Sequence, residues 1–244
     1  MRPENTIAAF DHGFACGAEG IEFDVHLSSD DVVFVHHDDT LERTTSGRGP
    51  VRAHTAAQLA AVDAGYNFSD GAGTFPYRGQ GIGVPTLQDV LARYPSAQLI
   101  VELKLGGRRL AERVVDEVRR AGAVRRVAVG SFYPDALEAV RQYEPALRTG
   151  ATKQETRWAL YRSWAGLNIG RAPFAEFQVP VWAGMTPIVT RRFVAAAHRA
   201  GVAVKVWTIN DEAEMRRLMR LGVDALITDR PDLARAVVGL NSLR

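Results

Sequence analysis

Short β-rich apolar runs alternate with amphipathic stretches along the whole chain. The runs fall at residues 21–25, 99–103, 127–131, 147–151, 174–179, 202–208 and 225–228. Between them, apolar positions at helical spacing predict helices over 86–94, 108–121, 135–143, 190–200 and 211–221. That order is the βα alternation of a parallel sheet with helical crossovers. A further apolar run, 32–36, follows the first strand after only Ser28, Ser29, Asp30 and Asp31. A parallel neighbour needs a crossover of about a dozen residues or more, so this run is expected to turn back antiparallel. Residues 25–37 then form a hairpin that returns His37 toward the acidic residues of the first strand.

Counting this way gives seven parallel strands, where closed barrels of this kind use eight. The chain opens on Met1-Arg2-Pro3-Glu4-Asn5-Thr6, and Ile7, Phe10 and Phe14 follow at helical spacing, with Asn5 placed to cap. The expected fold is therefore α/β: a TIM (β/α)8-type barrel lacking its first strand, with a β-hairpin after the first remaining one. A single domain over 1–244 is expected, with a short insertion at about 44–85. The glycines of that insertion (Gly71, Gly73, Gly79, Gly81, Gly83) are too irregular for a phosphate loop, and a surface loop is expected.

Composition narrows the function classes. Thirty basic against 28 acidic side chains leave a formal charge of +2, too small for a nucleic-acid-binding stripe. No apolar run is long enough to span a bilayer, so no stable membrane insertion is expected. The single cysteine, Cys16, stands among Phe14, Ala15 and Ala18 and is expected to be a buried small hydrophobe. No charged-then-apolar leader opens the sequence; a cytoplasmic location is the expectation.

Candidate chemistry sits on two strands. Glu22 and Asp24 are two residues apart, so a strand turns both to one face, and Glu102 and Lys104 repeat the arrangement. Such groups are costly to bury unless they meet a cation, a substrate or each other. Three carboxylates suit a hard divalent ion, Mg²⁺ or Ca²⁺, rather than zinc. His37 suits an acid or base. The plain alternative is an exposed strand face with a surface Glu–Lys bridge; two such pairs near strand ends favour chemistry. His36 alternates to the opposite face. His12, His54 and His198 are expected at the surface, as is His26. Glu176 and Gln178 share a face and are candidates for contacts to substrate hydroxyls, while Lys205 and Trp207 share another.

Motif order adds a resemblance. Pro3-Glu4-Asn5-Thr6, Ile21-Glu22-Phe23-Asp24-Val25 and Val35-His36-His37-Asp38-Asp39-Thr40-Leu41 with Arg43-Thr44-Thr45 resemble the N-terminal signature of glycerophosphodiester phosphodiesterases. The likeness continues through Pro85-Thr86-Leu87, Val101-Glu102-Leu103-Lys104, Ser131-Phe132, Val206-Trp207-Thr208-Ile209-Asn210 and Ile227-Thr228-Asp229-Arg230-Pro231. The resemblance implies that Glu22, Asp24 and Glu102 ligate one divalent cation, Mg²⁺ or Ca²⁺, and that His37 is the second catalytic histidine. It implies that Lys104 holds the phosphate and takes part in catalysis, and that Trp207 closes over the glycerol end of the substrate.

It implies metal-dependent hydrolysis of small-molecule glycerophosphodiesters to glycerol 3-phosphate and an alcohol. The family pattern places His-Arg-Gly ahead of Pro-Glu-Asn-Thr, and this sequence lacks it, so weak or absent activity is expected of the chain as written, regained when that strand is supplied. Two other readings stay open: a lysophospholipase D acting on lipid phosphodiesters, and a non-catalytic metal- or phosphate-binding remnant.

Overall fold

The computed structural model describes residues 1–241. The chain divides into two compact units, Met1–Leu147 and Arg148–Arg244. In the first unit the elements are α1 (Ile7–Ala15), β1 (Gly20–Leu27), β2 (Val33–Val35), α2 (Ala56–Ala60), α3 (Leu87–Arg93), β3 (Gln98–Leu103), α4 (Arg108–Arg120), β4 (Val127–Ser131) and α5 (Pro134–Tyr143). Strand β1 pairs parallel with β3, and β3 pairs parallel with β4. Strand β2 returns antiparallel on β1, with Val25 opposite Val35, as the short link between the two runs requires.

Period-two alternation divides the labour of β1. Phe23 and Val25, 1% and 0% exposed, join the core beneath helices α3 to α5, while Glu22 and Asp24 take the other face. Helix α4 shows the complementary pattern: Leu110, Ala111, Val114, Val115 and Val118 form one buried stripe under a basic and acidic outer face. Truncating Leu110 to Ala in that stripe is expected to cost about 3 kcal/mol.

Two local expectations change. Thr6, not Asn5, caps α1: the Thr6 hydroxyl accepts from the Ala9 amide at 3.2 Å. Asn5 instead takes a left-handed φ of 54°, which asparagine tolerates better than most residues. Cys16 is half-buried rather than buried. The stretch 44–85 is also more than a surface loop. It holds α2 and a small core of its own, in which Leu41, Val51, Leu59, Ala64 and Val84 pack with Phe34. The glycine-rich residues 69–75 are exposed.

The second unit contains β5 (Arg148–Thr149), α6 (Lys153–Trp164), β6 (Glu176–Pro180), β7 (Trp182–Ala183), β8 (Thr186–Pro187), α7 (Arg191–Arg199), β9 (Ala203–Trp207), α8 (Glu212–Leu221), β10 (Ala225–Leu226) and α9 (Pro231–Asn241). Strands β6, β9 and β10 form a parallel sheet in the order β10-β9-β6, and β7 and β8 form a small hairpin. Phe177, Phe193, Val204, Val206, Met215 and Leu218 fill the core. Helix α6 was not foreseen from periodicity. Its inner face buries Thr156, Ala159, Leu160 and Ser163, yet Trp158, Tyr161 and Trp164 stand on its outer side, so it lacks apolar–polar contrast.

Candidate functional site

Strand pairing brings the acids together. In the parallel register of β1 on β3, Asp24 lies opposite Glu102 and Glu22 opposite Ile100. Carboxylate oxygens of Glu22, Asp24 and Glu102 all fall within 4.8 Å of one another, a cluster able to hold a metal ion. The donor set fits a hard divalent cation: all oxygen, and three negative charges against one ammonium. That ammonium is Lys104, whose Nζ lies 2.9 Å from Asp24 Oδ1 and 2.8 Å from Glu102 Oε1. Burial pulls the Lys104 pKa down, but the charge of Asp24 and the hydrogen bonds to Glu102 and Asp24 outweigh it, and the net direction is up. Lys104 is thus held charged beside the acids.

Asp24 is only 6% exposed, so every lone pair it keeps from water needs a partner. Lys104 takes one oxygen, and the Asn5 side-chain amide donates to the other at 2.9 Å. The Asn5 carbonyl oxygen accepts from the Asp24 backbone N–H at 3.3 Å. Both oxygens of this carboxylate are therefore aimed by the protein itself.

The hairpin returns as expected up to His36, whose backbone N–H donates to the Asp24 carbonyl at 2.9 Å. The next residue, His37, is half-exposed, with its Nδ1 2.6 Å from Asp38 Oδ1. Arg43 grips both oxygens of Asp38, at 2.5 and 2.9 Å, and also binds Glu4 bidentately at 2.8 and 2.6 Å. The Arg43 hydrogen bonds, with those of His37, hold the Asp38 carboxyl well below the usual carboxylate range, and Glu4 and Asp38 together push the Arg43 pKa up. An ionised Asp38 only accepts, so the contact is the His37 Nδ1–H donating to it; in the neutral ring Nε2 then carries the lone pair.

The other histidines separate clearly. His26 is buried at 2%, not on the hairpin surface; burial lowers its pKa, and its Nε2 meets the His37 carbonyl at 3.2 Å. A neutral imidazole there donates to that carbonyl and pins the returning chain. His36 is buried with its Nε2 3.0 Å from the Thr40 carbonyl.

In the second unit Trp207 ends β9 half-buried, opposite Pro180 in register. Glu176 is 0% exposed, and its carboxylate is taken by Lys205 at 2.9 Å, Arg148 at 2.7 Å and Gln178 at 2.8 Å. It ties β5, β6 and β9 to one another and has no oxygen turned to water for a hydroxyl. The motifs contain Glu4, Asp38 and Arg43 without pointing to these contacts, and Asn5 suggests only a helix cap. The signal available was a run of polar residues around a structured turn, where side chains must satisfy one another.

Residues 1–233 match the model of the glycerophosphoryl diester phosphodiesterase family. A glycerophosphodiester phosphodiesterase of Caldanaerobacter subterraneus is 29% identical over 235 residues, covering 94% of this chain and 90% of its own. Another, from Bacillus altitudinis, is 29% identical over 239 residues, covering 95% and 91%. The crystal structure of a glycerophosphodiester phosphodiesterase from Agrobacterium tumefaciens superposes with a TM-score of 0.78 at 29% identity, covering 97% of this chain and 94% of that one. A phosphodiesterase from Oleispira antarctica, solved in complex with the product sn-glycerol-3-phosphate, gives 0.72 at 25% identity, with 98% and 92% covered. The α/β, TIM-barrel class read from the alternation is the fold that these structures share with the chain. With residues 1–233 of its 244 inside the family model, the chain belongs to the glycerophosphoryl diester phosphodiesterase family.

Proposed function

We propose that the protein hydrolyses glycerophosphodiesters to sn-glycerol 3-phosphate and an alcohol, with Glu22, Asp24 and Glu102 holding one divalent cation. The convergence of those three carboxylates beside a charged Lys104 carries this reading. The all-oxygen set favours Mg²⁺ or Ca²⁺, and the ion, when bound, polarises the phosphoryl group toward attack. Lys104 offsets negative charge that gathers on the phosphoryl oxygens. His37 Nε2, with its lone pair fixed by Asp38, takes a proton from the attacking water. The water oxygen bonds to phosphorus, the bond from phosphorus to the alcohol oxygen breaks, the departing alkoxide takes a proton from solvent, and His37 returns its proton to solvent. Trp207 is assigned to the glycerol end of the substrate by resemblance.

The test is turnover of glycerophosphocholine and glycerophosphoethanolamine, following glycerol 3-phosphate, in chelator and then with Mg²⁺ or Ca²⁺ restored. Activity that appears only with the cation, and is lost in Glu102→Gln and His37→Ala, supports the reading. Full turnover in chelator overturns the metal assignment. Release of phosphorylated alcohol in place of glycerol 3-phosphate overturns the bond assignment.

A further inference from the structure

The outer side of α6 does something that the phosphodiester site does not account for. Trp158, Tyr161, Trp164 and Leu167 are 60%, 51%, 43% and 51% exposed, at three-residue intervals along one helix and the turn that follows it. Tyr161 and Trp164 have ring centroids 5.6 Å apart, and the Arg162 guanidinium lies 5.8 Å from the Trp158 ring. Isolated exposed apolar residues are ordinary, whereas grouped aromatics at a surface mark something that they contact.

The charge around them is one-sided. Helices α6 and α7 pack against each other and together carry Lys153, Arg157, Arg162, Arg191, Arg192 and Arg199 against a single carboxylate, Glu155. Glu155 is turned to its own helix start, accepting from the Thr152 amide at 2.7 Å. Where the two helices meet, a cleft of about 500 Å³ is lined by Trp164, Arg191, Arg192, Ala195 and Arg199. Among the described residues, none of those three arginines has a carboxylate within ion-pair reach. Arg191 and Arg192 open α7, where the unpaired N–H groups of the first turn add to the positive potential.

We infer that this face docks the protein on an anionic phospholipid surface, with Trp158, Tyr161 and Trp164 seated at headgroup depth and lipid phosphates drawn to Arg191, Arg192 and Arg199. Tryptophan and tyrosine settle where apolar and polar regions meet, and basic side chains near an anionic leaflet add attraction. Charge argues against a second copy of this chain as occupant, because two such faces would press arginines on arginines. The cleft is a local hollow between two helices, not an extended channel of the kind that tracks a nucleic-acid backbone. No described helix is long and apolar enough to cross a membrane. The inference does not depend on the metal site and is tested apart from it.

The experiment is flotation of the full chain with vesicles of phosphatidylglycerol plus phosphatidylcholine, and with phosphatidylcholine alone. Binding is expected only to the anionic vesicles, with a blue shift of tryptophan fluorescence that disappears in the Trp158→Ala/Tyr161→Ala/Trp164→Ala variant. Arg191→Gln/Arg192→Gln is expected to lower partitioning by on the order of tenfold or more. Both sets of side chains are exposed, so unfolding is not expected, and a thermal melt confirms that each variant folds. Hydrolysis of a soluble diester should be unchanged in both variants. Three results overturn the inference: no difference between the two vesicle types, loss of a dimer in solution on these substitutions, or tighter binding to a single-stranded oligonucleotide than to the vesicles.

Discussion

Asn5 holds Asp24 at two points, donating from its side-chain amide to Oδ2 at 2.9 Å and accepting the Asp24 backbone N–H at 3.3 Å. The left-handed backbone at Asn5, φ 54°, turns the side chain toward β1. Groups that orient a ligand matter to the ligand's grip even though they never touch the ion. Asn5→Ala is expected to weaken metal binding by about tenfold or more while costing only about 1 kcal/mol of stability. Calorimetric titration with Mg²⁺ and Ca²⁺, beside a thermal melt, checks both parts. Equal metal affinity in the variant would remove Asn5 from the site.

Lys104 and Glu22 are expected to respond oppositely when the ion is withheld. Lys104→Met leaves Asp24 and Glu102 facing each other without their counter-charge, and should destabilise the metal-free protein by on the order of 3 kcal/mol. Glu22→Gln removes one of three crowded negative charges, and should leave the metal-free melting temperature unchanged or raised while abolishing its rise on adding cation. Thermal melts with and without Ca²⁺ separate the two.

Asp38→Asn keeps the shape of the side chain but removes the obligate acceptor that fixes His37 on Nδ1. Expected is a loss of kcat of about a hundredfold with little change in KM. Arg43→Met, which frees Asp38 and breaks the link to Glu4, should lower kcat less than Asp38→Asn does. A KM effect larger than the kcat effect would make the pair a substrate-binding element instead.

A pH response is expected far from the site. Tyr94 donates to Asp11 Oδ1 at 2.8 Å, and Arg93 binds the same carboxylate at 2.6 and 2.9 Å. Burial, with the bond to Asp11, pushes the Tyr94 phenol up to about 12. Since the folded value lies above the unfolded one of about 10, this contribution is complete below pH about 10 and is lost as pH rises through about 12. Its size, reduced by partial exposure, is on the order of 1 kcal/mol. Tyr94→Phe should therefore flatten the loss of stability over that range in alkaline denaturation. An unchanged slope would show that the phenol does not titrate with folding.

Much of this was legible in the chain itself. The short link after β1 dictated the antiparallel return to β2, and the two-residue spacing of Glu22 with Asp24 and of Glu102 with Lys104 placed each pair on one face. Those signals are local, set by backbone geometry. The partners Asn5 for Asp24 and Arg43 for Asp38 were not legible, because sequence gives no angle for a turn residue or a long side chain. His26 misled for a related reason. Its place in a hairpin suggested water, but the return strand and the residues behind it cover the ring. The Cys16 and Asn5 expectations failed at a helix end, where one residue of phase decides burial and capping.

Strand β1 is gripped on both sides, antiparallel by β2 and parallel by β3, with Phe23 and Val25 locked in the core. A slip of one position would drive Phe23 into water and swing the carboxylates inward among aliphatic groups. The three carboxylates are consequently brought together when the protein folds, so the proposed capture of a cation should proceed without any rearrangement of the backbone that bears them.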